Sequence, residues 1–331
     1  MKKGTAIALT ALALLALAGV VSSQSPRHAS QVYVDATAMI EKGDYPQALP
    51  LLKEVVADST EFADAHYNLG FVYERLGYAD SAMQEYATAL SIDSLLVMAH
   101  YGMGTLALRT QDYAGAIRHL RTAVSLDTTL VSAYFNLGTA LDATDDLDGA
   151  VAVLSKVVSV KPDYVDAYYQ LAASLYRKAT SAQGYPAVIE AYKKALEMGA
   201  DHVNAAVAHF YLARMYLATS QHEQAAASAD AAVKIRPDLA QAYFIKGKAL
   251  VSLGRDDEAA TEFRKAIEKK PGYGSAHYAL GRLLQKKEQY ELALEQYRNA
   301  TKDPGFPEAE SAAKAVKALE DYLRKKAEQG G

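Results

Sequence analysis

The sequence predicts an all-α fold built from a repeated helical hairpin. The first observation is a column of small residues that recurs every 34 positions, with a second small column 12 residues before it. The second is that apolar residues inside each repeat fall three and four positions apart, which is the spacing of one helix face. The main column comprises Ala48, Ala82, Ala116, Ala150, Ala225, Ala259 and Ala293, with Val188 at an irregular fifth repeat.

The start of the chain has the pattern of an export segment. Lys2 and Lys3 precede an uncharged stretch whose apolar centre, residues 6–21, would form a helix of roughly 24 Å. That length is short of the roughly 30 Å hydrocarbon core of a bilayer. Residues 1–23 are therefore expected to be a signal peptide or, alternatively, an N-terminal membrane anchor, with 24–28 as a linker. Both alternatives place the rest of the chain outside the cytoplasm, either periplasmic or membrane-anchored.

Each repeat from residue 29 onward reads as two helices joined by a short polar turn. In the second repeat, His66, Leu69, Gly70 and Tyr73 lie on one face of the first helix, and Ala82 lies on the facing side of the second. A glycine or alanine where two helices cross lets their backbones approach closely. The small columns are therefore expected to mark the helix crossings.

The segment AHYNLGFVYERLGYADSAMQEYATAL, from Ala65 to Leu90, resembles the tetratricopeptide-repeat family, whose 34-residue unit has aromatic, Leu-Gly, Tyr and Ala residues at matching positions. The resemblance implies a right-handed α-α superhelix, or solenoid, of eight hairpins. The first repeat departs most from the family pattern, because Asp35 and Ala36 replace Leu-Gly, as suits an end repeat. The predicted repeats are 29–62, 63–96, 97–130, 131–164, 165–205, 206–239, 240–273 and 274–307.

The sequence departs from the strict period in two places. Repeat five has extra residues in its internal turn, near 180–185, and again between Met198 and Ala205. Long loops in compact arrays are often functional, so these insertions are candidates for a functional loop. The alternative is that they are a variation in length without functional effect. After the last hairpin, residues 308–326 carry an apolar stripe and a charged face, which predicts a capping helix. Residues 327–331 are expected to form a disordered tail.

The composition excludes several classes of function. The 331 residues are 50% hydrophobic and 22% charged, as in a folded chain, and the net charge of −4 lacks the basic footprint of a general nucleic-acid binder. The absence of cysteine excludes disulfide scaffolds, iron–sulfur clusters and thiol catalysis. The aspartates between 142 and 148 do not follow the alternating pattern of a calcium loop. No other catalytic motif is present, so the chain is predicted to be non-enzymatic, with no cofactor and no metal.

The family resemblance also implies a partner-binding surface. In such arrays the first helices of the hairpins line a concave groove, whose partner-facing positions include the recurring aromatic residue and the positions one, four, seven and eight away from it. Some members of the family bind the carboxylate of a partner's C-terminus through a lysine at the aromatic position, and no lysine occurs at that position here. Other members bind a peptide backbone through an asparagine that follows the aromatic residue in each repeat, and here only Asn68 and Asn136 match. The predicted groove residues are Tyr67, Asn68, Arg75, Tyr101, Arg109, Phe135, Asn136, Tyr169, Arg177, Phe210, Arg214, Phe244, Lys248, Tyr278, Arg282 and Lys286.

Three of these cations define the most specific expectation. Arg214, Lys248 and Arg282 are 34 residues apart, and each lies one helical turn after an aromatic residue. They are expected to form a line on the groove wall that holds an acidic partner. The alternative is that they pair with neighbouring acids such as Glu258 or Glu262.

The predicted function is a non-catalytic protein–protein interaction scaffold or adaptor of the cell envelope, which binds a peptide or a partner helix in its groove. An envelope-assembly or anionic polysaccharide-binding module is the alternative. No nucleic acid is expected as a partner. Membrane contact is expected only through the N-terminal segment, if that segment is not cleaved.

Overall fold

The computed structural model describes residues 26–179 and 181–330, and over these residues all regular secondary structure is helical. This confirms the predicted all-α fold. The expected export segment, residues 1–23, lies outside the described residues. Among the helices that are described, none combines the length and apolarity needed to cross a membrane.

The chain divides into two compact units, the first ending at Lys161 and the second beginning at Pro162. In the first unit, eight helices form four hairpins, and each helix packs on the next along the chain. These helices are α1 (Pro26–Lys42), α2 (Tyr45–Asp58), α3 (Ala63–Arg75), α4 (Ala79–Ile92), α5 (Val97–Arg109), α6 (Tyr113–Leu126), α7 (Val131–Ala143) and α8 (Leu147–Val160).

The second unit contains four further hairpins and a final helix. A short 3-10 turn, Ala182–Gly184, precedes the second helix of the fifth hairpin. The α-helices are α9 (Val165–Lys178), α10 (Tyr185–Met198), α11 (Ala205–Ala218), α12 (His222–Ile235), α13 (Ala240–Ser252), α14 (Asp256–Lys269), α15 (Gly274–Lys286), α16 (Tyr290–Ala300) and α17 (Ala309–Gly330).

The predicted small residues lie where the two helices of a hairpin cross. A Cβ added to Gly70 would lie 2.8 Å from the ring of Tyr86, and one added to Gly247 would lie 2.5 Å from the ring of Phe263. Both rings are about 1% exposed. The glycine therefore provides the space in which the large side chain of the second helix is buried.

The turns inside seven of the eight hairpins share one backbone conformation. The residue immediately before the N-cap of the second helix has a positive φ, between 59° and 88°. Glycine adopts this conformation without a steric penalty, whereas other residues lack that freedom. The position holds Gly43, Gly77 and Gly254, but also Gln111, Asp145, Ser220 and Glu288.

Aspartate side chains cap three of the second helices. The Oδ1 atoms of Asp112 and Asp146 accept hydrogen bonds from the backbone N–H groups of Gly115, at 2.9 Å, and Gly149, at 3.0 Å. Asp44 caps α2 in the same way. Part of the aspartate-rich segment of the fourth repeat is therefore explained by helix capping.

The second insertion of repeat five is a structured loop. The ring of His202 stacks on that of Tyr169, with centroids 4.5 Å apart, and its Nε2 lies 2.9 Å from Oδ1 of Asp166. The Tyr169 hydroxyl donates to the carbonyl of Gly199 at 2.6 Å. The inserted residues thus fold back onto the first helix of their own hairpin.

The last helix packs on α16 through Ala312 and Leu319, which are at most 4% exposed. One feature of the prediction is corrected here. Residues 327–330 continue α17 instead of forming a disordered tail, because the segment before the final glycines consists mainly of charged helix formers and alanine. Within α17, Ala315 contributes to the packed face and Ala313 is exposed.

Candidate functional site

A groove of about 680 Å³ lies in the second compact unit. Phe244 and Lys248 of α13 contribute to one side, and Tyr278 and Arg282 of α15 to another. The side chain of Phe263 from α14 also lines it. The groove therefore combines aromatic rings with positive charge, and it contains four of the predicted groove residues in addition to Lys286.

All three aligned cations are exposed, and Arg214 and Lys248 lie next to aromatic rings. The Nζ atom of Lys248 lies 5.7 Å from the ring centroid of Phe244. The guanidinium of Arg214 lies 5.4 Å from the ring centroid of Tyr176 and 5.7 Å from that of Phe210. Burial raises the pKa of the Tyr176 phenol, and the nearby positive charge of Arg214 partly offsets that rise. These contacts orient the positive groups without neutralising them.

No carboxylate among the described residues lies within salt-bridge distance of Arg214, Lys248 or Arg282. The acids named as alternative partners are engaged elsewhere. Glu258 pairs with Arg255 at 2.6 Å, and Glu262 pairs with Lys265 at 3.0 Å and with Lys246 at 3.4 Å. Lys248 and Arg282 line the groove and Arg214 does not, and all three lack an ion-pair partner among the described residues.

Other predicted cations do have partners within the protein. Arg109 forms an ion pair with Glu74 at 3.4 Å, and Lys286 forms one with Asp256. Arg75 lies over the rings of Tyr45 and Phe71, at 5.3 and 6.0 Å. Arg177 is an exposed residue in the last turn of α9.

The aromatic column is half-buried and packs inside the hairpins. Tyr67 lies 5.9 Å from Tyr86, Phe244 lies 5.7 Å from Phe263, and Tyr278 lies 5.5 Å from Tyr297, measured between ring centroids. Burial raises the pKa of Tyr67 to about 12. Tyr101, Phe135 and Phe210 are also half-buried. These rings stabilise the hairpins and present only part of their surface.

Tyr169 departs from the rest of this column. It is 4% exposed, and the ring of His202 covers it. Its place among the partner-facing residues is therefore corrected, because the inserted loop of repeat five occupies the face that a partner would need.

The two asparagines donate hydrogen bonds to the preceding hairpin. Asn68 Nδ2 donates to the Tyr33 hydroxyl at 2.8 Å, and Asn136 Nδ2 donates to Thr105 Oγ1 at 3.2 Å. Both amide nitrogens thus already have a partner within the protein. The side-chain carbonyl oxygens of Asn68 and Asn136 accept no hydrogen bond from the described residues.

Histidines before the aromatic column link the two helices of their hairpins. His66 Nδ1 lies 2.6 Å from Glu85, and His277 Nδ1 lies 2.8 Å from Gln296. His100 Nδ1 lies 3.1 Å from Nδ1 of His119, a contact that sequence reasoning missed. The signal was available, because each partner lies 19 residues after its histidine. Within the described residues, no three or more His, Asp or Glu side chains are grouped as metal ligands would be.

Comparison with known protein families gives consistent matches along the chain. A family model described as a TPR repeat matches residues 37–77. Models described as tetratricopeptide repeats match residues 63–94, 107–175, 181–240, 220–274 and 274–302. Comparison with curated protein sequences gives no match.

Several solved structures are similar to this chain. PilF from Pseudomonas aeruginosa is 18% identical with a TM-score of 0.51, over 65% of this chain and 94% of that one. MamA from Desulfovibrio magneticus RS-1 is 22% identical with a TM-score of 0.48, over 53% of this chain and 97% of that one. YrrB, described as a TPR protein with an unusual peptide-binding site, is 17% identical with a TM-score of 0.40, over 72% of this chain and 97% of its own.

At 18% identity, the similarity to PilF shows a common fold only. The family models, the 34-residue columns and the helical hairpins agree with one another on the type of repeat. The chain belongs to the tetratricopeptide-repeat family.

Proposed function

We propose that the protein is a non-catalytic interaction scaffold whose groove in the second compact unit binds an acidic peptide or partner helix. The observation that carries this proposal is the exposed, unpaired positive charge of Lys248 and Arg282 in a groove also lined by Phe244 and Tyr278. Proteins of this repeat family generally act as protein-interaction scaffolds. An apolar side chain of the partner would pack on the rings while an adjacent carboxylate meets the cations.

The balance of charge favours an acidic partner at this end of the chain. Residues 240–331 carry 17 Lys or Arg and 14 Asp or Glu, whereas residues 29–164 carry eight and 18. A positive groove on a chain of net charge −4 attracts anions locally, and its contribution falls as salt screens it.

The test is the triple substitution Arg214→Gln, Lys248→Gln and Arg282→Gln. Because exposed charges contribute about 1 kcal/mol or less each, the dissociation constant for an acidic peptide should rise about 10- to 100-fold. Fluorescence anisotropy with a labelled peptide measures this change, and the wild-type affinity should weaken with added salt.

The matched control for this substitution is the melting temperature. We expect only a small decrease, since none of the three cations has an ion-pair partner among the described residues and the ring contacts of Arg214 and Lys248 are exposed. A lower melting temperature with unchanged binding would show that the cations stabilise the repeats instead. Binding that is insensitive to salt would also contradict the proposal.

Export to the cell envelope is the second part of the proposal. Its support is the sequence of residues 1–23, where Lys2 and Lys3 precede a short apolar segment. Fractionation of a tagged protein should recover it in the periplasm or on the outer face of a membrane. Recovery of the full-length protein in the cytoplasm would contradict export.

An anionic polysaccharide is the alternative ligand, favoured by the same exposed cations and rings. A glycan lacks the apolar side chains of a peptide, so it would depend on the charges more than on the rings. Titration with an acidic glycan and an acidic peptide of equal charge separates the two ligands. Tighter binding of the glycan would favour the alternative.

A further inference from the structure

The groove contains a carboxylate that sequence reasoning did not identify. Asp256, the first residue of α14, lines the groove and forms an ion pair through Oδ2 with Nζ of Lys286. Its Oδ1 atom is buried and has no hydrogen-bond partner among the described residues. A buried carboxylate oxygen without a donor is unfavourable. The site therefore lacks one N–H or ammonium group.

The same position in other hairpins shows that a polar residue here is unusual. The first residue of the second helix is Tyr45, Tyr113, Tyr185 or Tyr290 in four hairpins, with Ala79 and Leu147 in two more. Only hairpins six and seven have polar residues there, His222 and Asp256. The Nδ1 atom of His222 is also buried without a hydrogen-bond partner. The ion pair with Lys286 and the helix N-terminus account for an acidic residue at this position, but the buried Oδ1 of Asp256 remains without a donor among the described residues.

We infer that the groove accepts an extended segment in which a basic side chain lies two residues from an acidic one. This inference rests on the proposed function and adds a second recognition element to it. The acidic side chain meets Lys248 and Arg282, and the basic side chain meets Asp256. Side chains two residues apart in an extended chain lie on the same side, about 7 Å from each other.

The ion pair with Lys286 leaves Asp256 available to such a ligand. The side chain of Lys286 is 67% exposed, whereas that of Asp256 is 18% exposed, so the lysine is the mobile and replaceable partner. A ligand ammonium or guanidinium can take the unused oxygen after rotation of the carboxylate, or it can replace Lys286. A displaced Lys286 would then add to the positive side of the groove.

Two labelled peptides and the substitution Asp256→Asn test this inference. One peptide carries Glu-x-Lys after an apolar residue, and the other carries Glu-x-Gln in the same context. We expect Asp256→Asn to raise the dissociation constant of the Glu-x-Lys peptide about 5- to 10-fold. The Glu-x-Gln peptide should bind unchanged or more tightly, because Lys286 is released. General damage to the groove would weaken both peptides together.

The neighbouring residue offers a matched control. Asp257 forms an ion pair with Lys287, also 30 residues along the chain, but its side chain is 91% exposed and does not line the groove. Asp257→Asn should leave the affinities for both peptides unchanged. Lys286→Gln provides a second test that keeps Asp256, and it should tighten binding of the Glu-x-Lys peptide.

The outcomes separate this inference from the proposed function. If the Glu-x-Gln peptide binds but Asp256→Asn and Lys286→Gln do not change the preference between the peptides, the inference is wrong and the acidic groove ligand stands. An effect of Asp257→Asn equal to that of Asp256→Asn also overturns it. If neither peptide binds the wild-type protein, both proposals are overturned.

Discussion

Gln111, Ser220 and Glu288 adopt a left-handed backbone at hairpin turns where glycine occurs in three other hairpins. A residue with a Cβ pays roughly 1–2 kcal/mol for this conformation. Substitution by glycine removes this cost, but part of the gain in stability is lost because glycine has more conformational freedom in the unfolded chain.

Gln111→Gly should therefore stabilise the protein by about 0.5–1 kcal/mol. The reverse change, Gly77→Ala, should destabilise it by about 1 kcal/mol or more. Chemical denaturation measures both effects on the free energy of unfolding. A loss of stability for Gln111→Gly would contradict the conformational argument.

Two histidines give the folded protein a defined response to acid. The pKa of His119 is lowered by burial and by the nearby Arg118 and His100, with Asp112 acting in the opposite direction, and the pKa of His209 is lowered by burial. A histidine whose pKa is lower when folded binds protons more readily in the unfolded state. Stability should therefore fall as the pH drops through the unfolded value near 6.5 toward the lowered folded value.

The double substitution His119→Gln and His209→Tyr should reduce this loss between pH 7.5 and 5.5. Both replacements occur at the equivalent positions of other repeats in this chain. Gln296 faces His277 as His119 faces His100. Tyr243 precedes Phe244 as His209 precedes Phe210. Unfolding free energies at several pH values provide the measurement. An unchanged slope would show that other groups control the acid response in this range.

At the scale of helices and turns, the 34-residue columns were sufficient to predict the hairpins and the position of the irregular loop. The columns work because each helix crossing requires a small residue opposite a large one, as at Gly247 and Phe263. They do not constrain an inserted loop. The stacking of His202 on Tyr169 therefore could not be predicted from spacing.

The groove was predictable only in part for a related reason. Lys248 and Arg282 follow the recurring aromatic by one helical turn, so their place on the first helices can be read from the sequence. Asp256 belongs to a second helix, and its contact with Lys286 depends on how neighbouring hairpins pack. A search confined to the first helices misses this carboxylate.

Across the molecule, charge is divided between the two ends of the chain. Residues 29–164 hold an excess of acidic side chains, and the groove with unpaired cations lies in the second compact unit. An acidic segment that binds in this groove should contact its lining residues, and its binding should depend on Lys248 and Arg282.

Photo-crosslinking tests binding of an acidic segment in this groove. An acidic peptide with a photoreactive group at its apolar position is irradiated with the full chain, and the crosslinked residues are mapped by mass spectrometry. We expect crosslinks within 244–252, 275–286 and 306–308, with a reduced yield in the Lys248→Gln and Arg282→Gln double variant. Crosslinks concentrated in residues 29–161, or a yield that does not depend on the two cations, would contradict it.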